Sequence, residues 1–243
     1  MIELKNVSFA YENGKPVLEN LTLTIGDGEA VGLIGANGAG KSTILKAMLG
    51  LLPVQGQVII DGVALNAKNL GVIRQKLGFV LQNSDNQMFM PTVYEDMRFA
   101  PKNYGLPSEE IEARIDAVLA DLGLADLKNR YNHKISGGEK RMAAIATILV
   151  MEPEALLMDE PTTALDPVNR RNVIRAINRL PQTKLIASHD LDMILDTCDR
   201  VILLSKGRIV ADGKAEEILR NRELLEQNRM ELPFCLAGYQ PRK

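Results

Sequence analysis

The sequence has no tryptophan and few aromatic residues of any kind. Its 243 residues include five tyrosines and five phenylalanines, and the formal net charge at pH 7 is −2. Proteins that bind single-stranded nucleic acid stack the bases on aromatic rings, and proteins that bind the duplex neutralise its phosphates with lysine and arginine. The composition therefore argues against a nucleic-acid partner, although a local basic patch remains compatible with it.

Cysteines and long apolar runs are also scarce. Cys198 and Cys235 are the only cysteines, and their spacing matches neither a disulfide framework nor a metal site, which suits a reducing compartment. No apolar run approaches the roughly 18 residues of a membrane-spanning helix. Residues 1–5 lack the apolar segment of a signal peptide. We therefore expect a cytoplasmic chain.

One glycine-rich stretch lies between a strand pattern and a helix pattern. Residues 30–34 before it are apolar, and residues 44–49 after it have helical character. In this context glycines let backbone N–H groups turn inward around an anion, and the new helix adds its unpaired N–H groups. The context favours a phosphate-binding loop over a simple turn in which Ser42 caps a helix. The predicted loop consists of Gly35, Ala36, Asn37, Gly38, Ala39, Gly40, Lys41, Ser42 and Thr43.

Two adjacent carboxylates follow a second buried-strand pattern. The apolar residues 155–158 lead directly into Asp159 and Glu160, which makes a solvated acidic loop the weaker interpretation. Asp159 suits the ligand shell of Mg²⁺ together with the hydroxyl of Ser42, and Glu160 suits a general base that polarises an attacking water. Lys41 would reach the β- and γ-phosphates of a nucleoside triphosphate.

Gln82 and His189 also follow apolar strand patterns. In open α/β sheets ligands bind at the carboxyl ends of the strands. Gln82 is therefore placed to orient a water or to touch Mg²⁺, and His189 to contact a γ-phosphate. Taken alone, each would be an ordinary polar loop residue.

Ser136, Gly137, Gly138 and Glu139 begin another helix pattern. Ser136 and Glu139 fit a capping box, in which each side chain accepts a backbone N–H of the other residue. A cap does not need two glycines in the first turn, where each costs about 1 kcal/mol of helix propensity. We therefore expect another group, such as a phosphate, to approach this backbone closely.

The order of the patterns predicts an α/β fold with an inserted helical segment. Strand signals dominate residues 1–34, disappear over 87–152 and return from 154. We predict a nucleotide-binding α/β core, a helical subdomain and a C-terminal tail. Their predicted bounds are 1–86 with 153–222, 87–152, and 223–243.

Two helix boundaries are specific expectations. Ser108 has the character of an N-cap, with two glutamates in the turn after it. Residues 214–227 are expected to form one charged helix. Asp166 is also a plausible N-cap, because Pro167 suits the first helical position.

Taken in order, these motifs resemble the nucleotide-binding subunits of ABC transporters. The resemblance extends to about residue 222 and is most specific at 136–138, although Ile135 stands where leucine is common and Glu139 where glutamine is frequent. It implies a P-loop NTPase (RecA-like) core with an N-terminal antiparallel β subdomain and an inserted α-helical signature subdomain. It also implies a head-to-tail dimer, with a second copy or a paralogous ATPase subunit, that holds two ATP molecules and Mg²⁺ at its interface.

The resemblance assigns nucleotide contacts to four parts of the chain. Tyr11 would stack on the adenine, although strands favour tyrosine for other reasons. The loop at 35–43 would bind the phosphates, and residues 136–139 would contact the ATP held by the partner's loop. Asp166 would communicate across the dimer.

The resemblance also assigns the chemistry of ATP hydrolysis. Glu160 would be the catalytic base and His189 the switch histidine. Gln82 would couple the γ-phosphate to a membrane subunit. Ser42, Gln82 and Asp159 would bind Mg²⁺.

A finer resemblance involves three segments of the chain. Residues 82–89, 92–96 and 99–106 resemble the ATPases of energy-coupling factor transporters, including cobalt and nickel importers, although Met88 and Phe89 would equally suit a subdomain core. This implies a peripheral subunit on the cytoplasmic side of the cell membrane, bound to integral membrane transporter subunits. The implied cargo is a metal ion such as cobalt or nickel, or a vitamin, and no motif in the chain identifies it.

Two other classes of P-loop protein are the alternatives. A soluble ABC-type ATPase that acts on nucleic acid or the ribosome usually carries a long coiled coil or two cassettes, and the sequence has neither heptads nor duplicated motifs. A small-molecule kinase would leave the glycines at 137 and 138 without an explanation.

Overall fold

This computed structural model describes residues 1–12 and 14–238. The strands within these residues form two sheets. The first sheet has the order β2-β1-β4-β5, and the second has the order β10-β9-β3-β8-β7-β6. The strands are β1 Ile2–Ala10, β2 Pro16–Ile25, β3 Ala30–Ile34, β4 Gln55–Ile60, β5 Val63–Ala64, β6 Leu77–Val80, β7 Ala155–Asp159, β8 Thr183–Ala187, β9 Arg200–Ser205 and β10 Arg208–Lys214.

Helices connect these strands and cover the second sheet. The α-helices are α1 Lys41–Met48, α2 Leu70–Lys76, α3 Val93–Asn103, α4 Ser108–Leu122, α5 Gly137–Leu149, α6 Pro167–Arg179, α7 Leu191–Thr197, α8 Ala215–Arg220, α9 Arg222–Gln227 and α10 Phe234–Ala237. Short 3-10 helices lie at Ser84–Asn86, Ala125–Leu127 and Asn132–Lys134. Among the described helices, none combines the length and apolar character needed to cross a membrane.

The parallel strands of the second sheet end at a common edge. Strand β8 pairs with β3 and β7, so that Ala187 faces both Leu33 and Asp159 in register, and β6 runs parallel beside β7. Every residue of β7 and β8 is buried, as expected for parallel strands covered on both faces. The segments that follow β3, β6, β7 and β8 therefore emerge side by side, and each of them carries one of the predicted site residues.

The first sheet is antiparallel and covers α1. Central strand β1 pairs with β2 on one side and β4 on the other, and buried residues alternate with exposed ones along β2. Its apolar face packs in one cluster with Ile44, Leu45 and Met48 of α1. The antiparallel and parallel sheets together confirm the predicted α/β class with N-terminal antiparallel strands.

Helices α3, α4 and α5 lie between β6 and β7 in the chain. Their apolar faces share one buried cluster, in which α4 contributes Ile111, Ile115 and Leu119. Thr92 caps α3 with a complete capping box that it shares with Glu95. This helical unit carries both the start of α5 and the segment after Gln82, so it connects two parts of the predicted site.

Two predicted helix boundaries are wrong. Helix α4 begins at Ser108, and Pro107 takes the N-cap position in an extended conformation because its carbonyl already accepts the N–H of Ile111. The charged segment at 214–227 is two helices, because Asn221 leaves the helical conformation and its side chain accepts the N–H of Leu224. Asparagine competes with the helix in this way by capping the turn that follows it.

The close packing of β6 against α5 gives a first test of the fold. We expect Gly78→Ala to lower the free energy of unfolding by roughly 1–3 kcal/mol through overpacking, because a Cβ at Gly78 would lie 2.3 Å from Cγ2 of Ile148. Gly71→Ala is the matched control, since nothing lies within 4 Å of its added Cβ, and it should be neutral or gain up to about 1 kcal/mol. Urea unfolding measures both, and equal stabilities would contradict the packing described.

Candidate active site

The glycine-rich loop turns from β3 into α1 with two glycines in conformations that other residues avoid. Gly40, at the N-cap of α1, has φ 110°, and Gly35 has φ 151°. A Cβ at Gly35 would lie 2.2 Å from the backbone oxygen of Leu204. The loop therefore lies against the neighbouring strand and leaves its N–H groups at the start of α1, the arrangement that binds phosphate.

Lys41 lies inside this loop and is almost fully buried. Its Nζ donates to the carbonyl oxygen of Gly35 at 2.7 Å and to that of Ala36 at 3.4 Å. Burial lowers the pKa of the Lys41 ammonium, while the negative charges of Glu160 and Asp159 oppose that shift. Among the described residues, the Lys41 ammonium has carbonyl oxygens as its hydrogen-bond partners, and such a buried cation fits a site for phosphate oxygens.

Ser42 and Asp159 meet at the end of β7. The Ser42 hydroxyl donates to Oδ1 of Asp159 at 3.1 Å. Burial raises the pKa of the Asp159 carboxyl, and the hydrogen bond from Ser42 opposes that shift. Among the described residues no group of three His, Cys, Asp or Glu side chains could hold a metal. The Ser42 hydroxyl and the Asp159 carboxylate offer two oxygen ligands, and Mg²⁺ usually binds one or two protein ligands and completes its shell with phosphates and water.

Glu160 is held by two donors from the segment after β8. Its carboxylate accepts the Ser188 hydroxyl at 2.9 Å and the backbone N–H of His189 at 3.1 Å, and Nδ1 of the His189 ring lies 2.8 Å from it. The carboxylate is buried, whereas the His189 side chain is 61% exposed. Glu160 also has φ 49°, a left-handed conformation that is rare outside glycine and occurs at functional sites.

Residues 37–43 of the predicted loop line a cleft of about 480 Å³ together with Gln82, Glu160 and His189, and this volume is within the usual range of ligand sites. Gly35, Ala36 and Asp159 do not line it, and Asp159 is connected to it through the hydrogen bond from Ser42. Tyr11 lines the same cleft with a partly exposed ring that packs edge-on against Phe9 at 4.8 Å. The lining residues are Tyr11, Val17, Asn37, Gly38, Ala39, Gly40, Lys41, Ser42, Thr43, Gln82, Glu160 and His189.

Ser136 and Glu139 form the predicted capping box but do not line this cleft. Glu139 accepts the N–H of Ser136 at 2.7 Å, and the Ser136 hydroxyl accepts the N–H of Glu139 at 3.3 Å. Gly138 and Glu139 instead line a separate cleft of about 680 Å³ beside α6. Within one chain, the start of α5 is therefore not part of the phosphate site.

The two glycines of this turn have different surroundings, which corrects the sequence argument. A Cβ at Gly138 would lie 2.0 Å from Cγ of Asn169, so an intrachain contact already explains that glycine. A Cβ at Gly137 would meet nothing within 4 Å. Only Gly137 still fits the expectation that a group from outside the chain approaches the backbone here.

Asp166 caps α6 as predicted and lies outside the phosphate cleft. Its Oδ1 accepts the N–H groups of Val168 at 2.9 Å and Asn169 at 3.0 Å. The hydrogen bond from the backbone N–H of Asn169 is the main reason that the pKa of this exposed carboxyl is lowered. The Asn169 amide also donates to Oδ2 of Asp166, so one asparagine contacts both Asp166 and Gly138.

Sequence reasoning missed two features next to the cleft. Ser188 holds Glu160, and only its place between β8 and His189 could have suggested this. The segment after α9 returns to Asp192, whose carboxylate accepts the N–H groups of Phe234 at 3.0 Å and Cys235 at 2.9 Å. No sequence pattern predicts a contact made through the backbone. Residues 239–243 of the predicted tail lie outside the described residues.

Comparison with known proteins identifies the family of the chain. Residues 18–163 match the family model described as ABC transporter. The chain is 44% identical to the energy-coupling factor transporter ATP-binding protein EcfA of Methanothermobacter thermautotrophicus, over 96% of this chain and 77% of that protein.

Two solved structures are similar over most of the fold. The structure of cbiO1 from Clostridium perfringens, described as part of the ABC transporter complex cbiONQ, has a TM-score of 0.84 and 33% identity, and the match covers 93% of each chain. The dimeric, post-hydrolysis structure of the ATP-binding cassette MJ0796 bound to ADP and Pi has a TM-score of 0.79 and 29% identity, and the match covers 88% of this chain and 99% of that one. The predicted P-loop fold and ATPase activity are confirmed, and the chain belongs to the ABC transporter family as an ATP-hydrolysing subunit.

Proposed function

We propose that this ATPase energises an importer of the energy-coupling factor type, with a metal ion such as cobalt or nickel, or a vitamin, as its cargo. The observation on which the ATPase part rests is that Lys41, Ser42 and Glu160 line one cleft, with Asp159 hydrogen-bonded to Ser42 beside it. The identity to EcfA and the likeness to cbiO1 support the importer class. In this proposal, specificity for the cargo lies in a membrane partner.

The proposed chemistry is attack of a water oxygen on the γ-phosphorus of ATP, which breaks the bond to the bridging oxygen and yields ADP and phosphate. Glu160 orients the water and accepts the proton that the water loses as its oxygen bonds to phosphorus, and the donors on Ser188 and His189 hold the Glu160 carboxylate in place. When ATP binds, the Lys41 ammonium donates to β- and γ-phosphate oxygens in place of the loop carbonyl oxygens that it contacts in the structure. Tyr11 packs on the adenine at the other end of the cleft.

Mg²⁺ fits the oxygen pair of Ser42 and Asp159, with Gln82 as a further ligand at the same cleft. When bound, the ion neutralises charge on the β- and γ-phosphates. His189 lies on the exposed side of Glu160 and reaches the γ-phosphate as a donor. Catalysis in this scheme comes mainly from positioning and charge stabilisation.

The proposed division of the chain follows from these roles. Residues 1–86 and 153–222 form the nucleotide-binding core, 87–152 form the helical subdomain, and 223–243 form the tail. In a head-to-tail dimer, with a second copy or a sister ATPase, Ser136, Gly137 and Gly138 meet the nucleotide on the partner's loop, and Asp166 lies at the same interface. The open surroundings of Gly137 and the dimeric state of the MJ0796 structure support this arrangement.

The proposed membrane contact involves an exposed aromatic pair on the helical subdomain. Phe89 is 62% exposed and packs edge-on against Phe99 with ring centroids 4.9 Å apart. Large exposed aromatic side chains are frequent anchors of protein interfaces. The subunit would then lie on the cytoplasmic face of the membrane, with these rings turned towards an integral membrane subunit.

The role of Glu160 is tested with a variant that keeps its shape. Glu160→Gln should retain ATP binding and accumulate as an ATP-bound dimer, while kcat falls by roughly 10²–10⁴-fold because the amide cannot accept a proton. Glu154→Gln, at the other end of β7, removes an exposed carboxylate and should leave kcat unchanged. Hydrolysis at the normal rate by Glu160→Gln would show that Glu160 is not the base.

The dimeric site is tested at Gly137. Gly137→Asp adds a carboxylate at the start of α5, where the helix dipole favours it in the monomer but where it would repel a phosphate of the partner's nucleotide. We expect normal folding and ATP binding, together with loss of ATP-driven dimerisation in sedimentation velocity. Gly71→Asp makes the same change in the first turn of α2, another open position, and should dimerise normally. Dimerisation of Gly137→Asp at the wild-type ATP concentration would contradict the proposed interface.

The membrane partner is tested by purifying the tagged chain from detergent-solubilised membranes of its own cells. Phe89→Ser should lose the co-purifying integral membrane subunits, with affinity reduced by about 30-fold or more. Val72→Ser on α2, at 60% exposure, is the matched control and should retain them. Recovery of the wild-type chain with nucleic acid or ribosomes and without membrane proteins would favour the soluble ABC-type ATPase instead.

A further inference from the structure

Helix α6 contains four arginines and no acidic residue. The whole chain has a net charge of −2, so the charge of this helix is opposite in sign to that of the protein. Arg170 is neutralised by Asp190, whose carboxylate accepts Nε at 2.6 Å and Nη2 at 2.7 Å. The other three, Arg171, Arg175 and Arg179, are exposed and form no ion pair with any residue that the structure describes.

These three residues form a row on the outer side of α6, which we call the arginine row. They are four positions apart, and residues at this spacing are neighbours on a helix surface. At 1.5 Å per residue the row is about 12 Å long. Val173 and Ile177 on the inner side are fully buried, so the helix is fixed with the row facing outwards. Like charges at this spacing destabilise a helix, and an anionic partner would remove that cost.

A cleft of about 680 Å³ adjoins the row. Arg175 and Arg179 line it on the side of α6, and the opposite wall includes Leu122, Leu124 and Met142 of the helical unit. The lining residues of α6 extend from position 169 to position 179, so this α6 cleft is about 15 Å long. Its length and its position between helices are those of a groove that receives one side of another helix.

The lining of the α6 cleft has a net positive charge. Its acidic residue is Glu139, whose carboxylate already accepts the N–H of Ser136 in the capping box. The other polar residues that α6 contributes are uncharged, and they are Asn169, Asn172 and Asn178. Two guanidinium groups are therefore present against one carboxylate that is already hydrogen-bonded. A ligand with acidic groups beside apolar ones would be complementary to this lining.

Three classes of anionic partner would neutralise the arginine row, and the surface favours one of them. Single-stranded nucleic acid stacks its bases on aromatic rings, and the α6 cleft has no aromatic lining residue. A lipid surface takes up apolar side chains that protrude, whereas Leu124 and Met142 are recessed, with 8% and 7% exposure. A protein helix with a carboxylate at every fourth position matches the spacing of the row, and the guanidinium fork binds carboxylates with two parallel hydrogen bonds.

We propose that α6 and its cleft form a docking surface for an acidic amphipathic helix of another protein. The carboxylates of that helix pair with the arginine row, and its apolar side chains enter the α6 cleft. No residue lines both this cleft and the phosphate cleft, so docking does not require an empty nucleotide site. This interaction is additional to the proposed importer function and does not depend on it.

The test uses a fluorescein-labelled synthetic helix as the probe, with glutamate at every fourth position and leucines on the adjoining side. Fluorescence anisotropy with the full-length chain gives its Kd at low ionic strength, at which exposed charges are least screened. The triple variant Arg171→Gln, Arg175→Gln and Arg179→Gln should raise this Kd by about tenfold or more, because each exposed ion pair contributes up to about fivefold. Glutamine keeps the helix propensity of arginine, so the fold should be retained.

The matched control removes the same charge from other exposed positions. Arg208→Gln, Arg220→Gln and Arg222→Gln together should leave the Kd close to wild type, since these arginines lie outside the α6 cleft. A probe with lysine in place of every glutamate should not bind. A probe with serine in place of the leucines should bind several-fold more weakly, because burial of apolar side chains in the cleft is lost.

Four results would overturn the proposal. The first is an equal Kd for wild type and a folded arginine-row variant, with thermal unfolding as the check of folding and Arg175→Gln alone as the replacement if the triple variant does not fold. The second is displacement of the probe by ADP, which would place it in the phosphate cleft. The others are tighter, row-dependent binding of phosphatidylglycerol vesicles or of polyuridylate than of the probe, which would make the partner a lipid surface or a nucleic acid.

Discussion

The register of the parallel strands is the constraint on which the rest of the site depends. Ala187 faces Leu33 on one side and Asp159 on the other, so three chain segments leave the sheet at the same level. The phosphate loop, the two carboxylates and the histidine come together because of this register. Backbone hydrogen bonds and buried aliphatic side chains therefore set the geometry of the polar site. Its charged groups would not assemble without this framework, because bringing them together costs repulsion between like charges and loss of hydration.

Much of the site could be predicted from the sequence because each polar residue follows an apolar strand. Glu160 and His189 were found this way, since a strand that is buried throughout delivers the next side chain to the ligand edge. The pattern already suggests a general base at Glu160 and a γ-phosphate contact at His189, and the resemblance to the ABC transporter family implies the same two roles. The core could be predicted for the same reason, because helical and strand periodicities are read directly from apolar residues.

The features that sequence reasoning missed are one contact between distant segments and two local contacts at helix ends. Asn169 explains Gly138 only once α6 lies beside α5, and Pro107 takes the cap position expected for Ser108 through a single carbonyl bond. Asn221 divides a segment whose charge pattern alone looked continuous. At Pro107 and Asn221 a carbonyl or a side chain competes locally with the regular helix pattern, whereas the contact of Asn169 with Gly138 depends on tertiary structure.

The contact of Asn169 with both Gly138 and Asp166 has a consequence for how the surface can move. The starts of α5 and α6 are far apart in the chain and pack around this one side chain, which restricts their movement relative to each other. A molecule that binds at this surface therefore contacts a preformed structure, and it does not have to order the two segments independently. Less conformational entropy is then lost on association, so more of the contact free energy remains available as affinity.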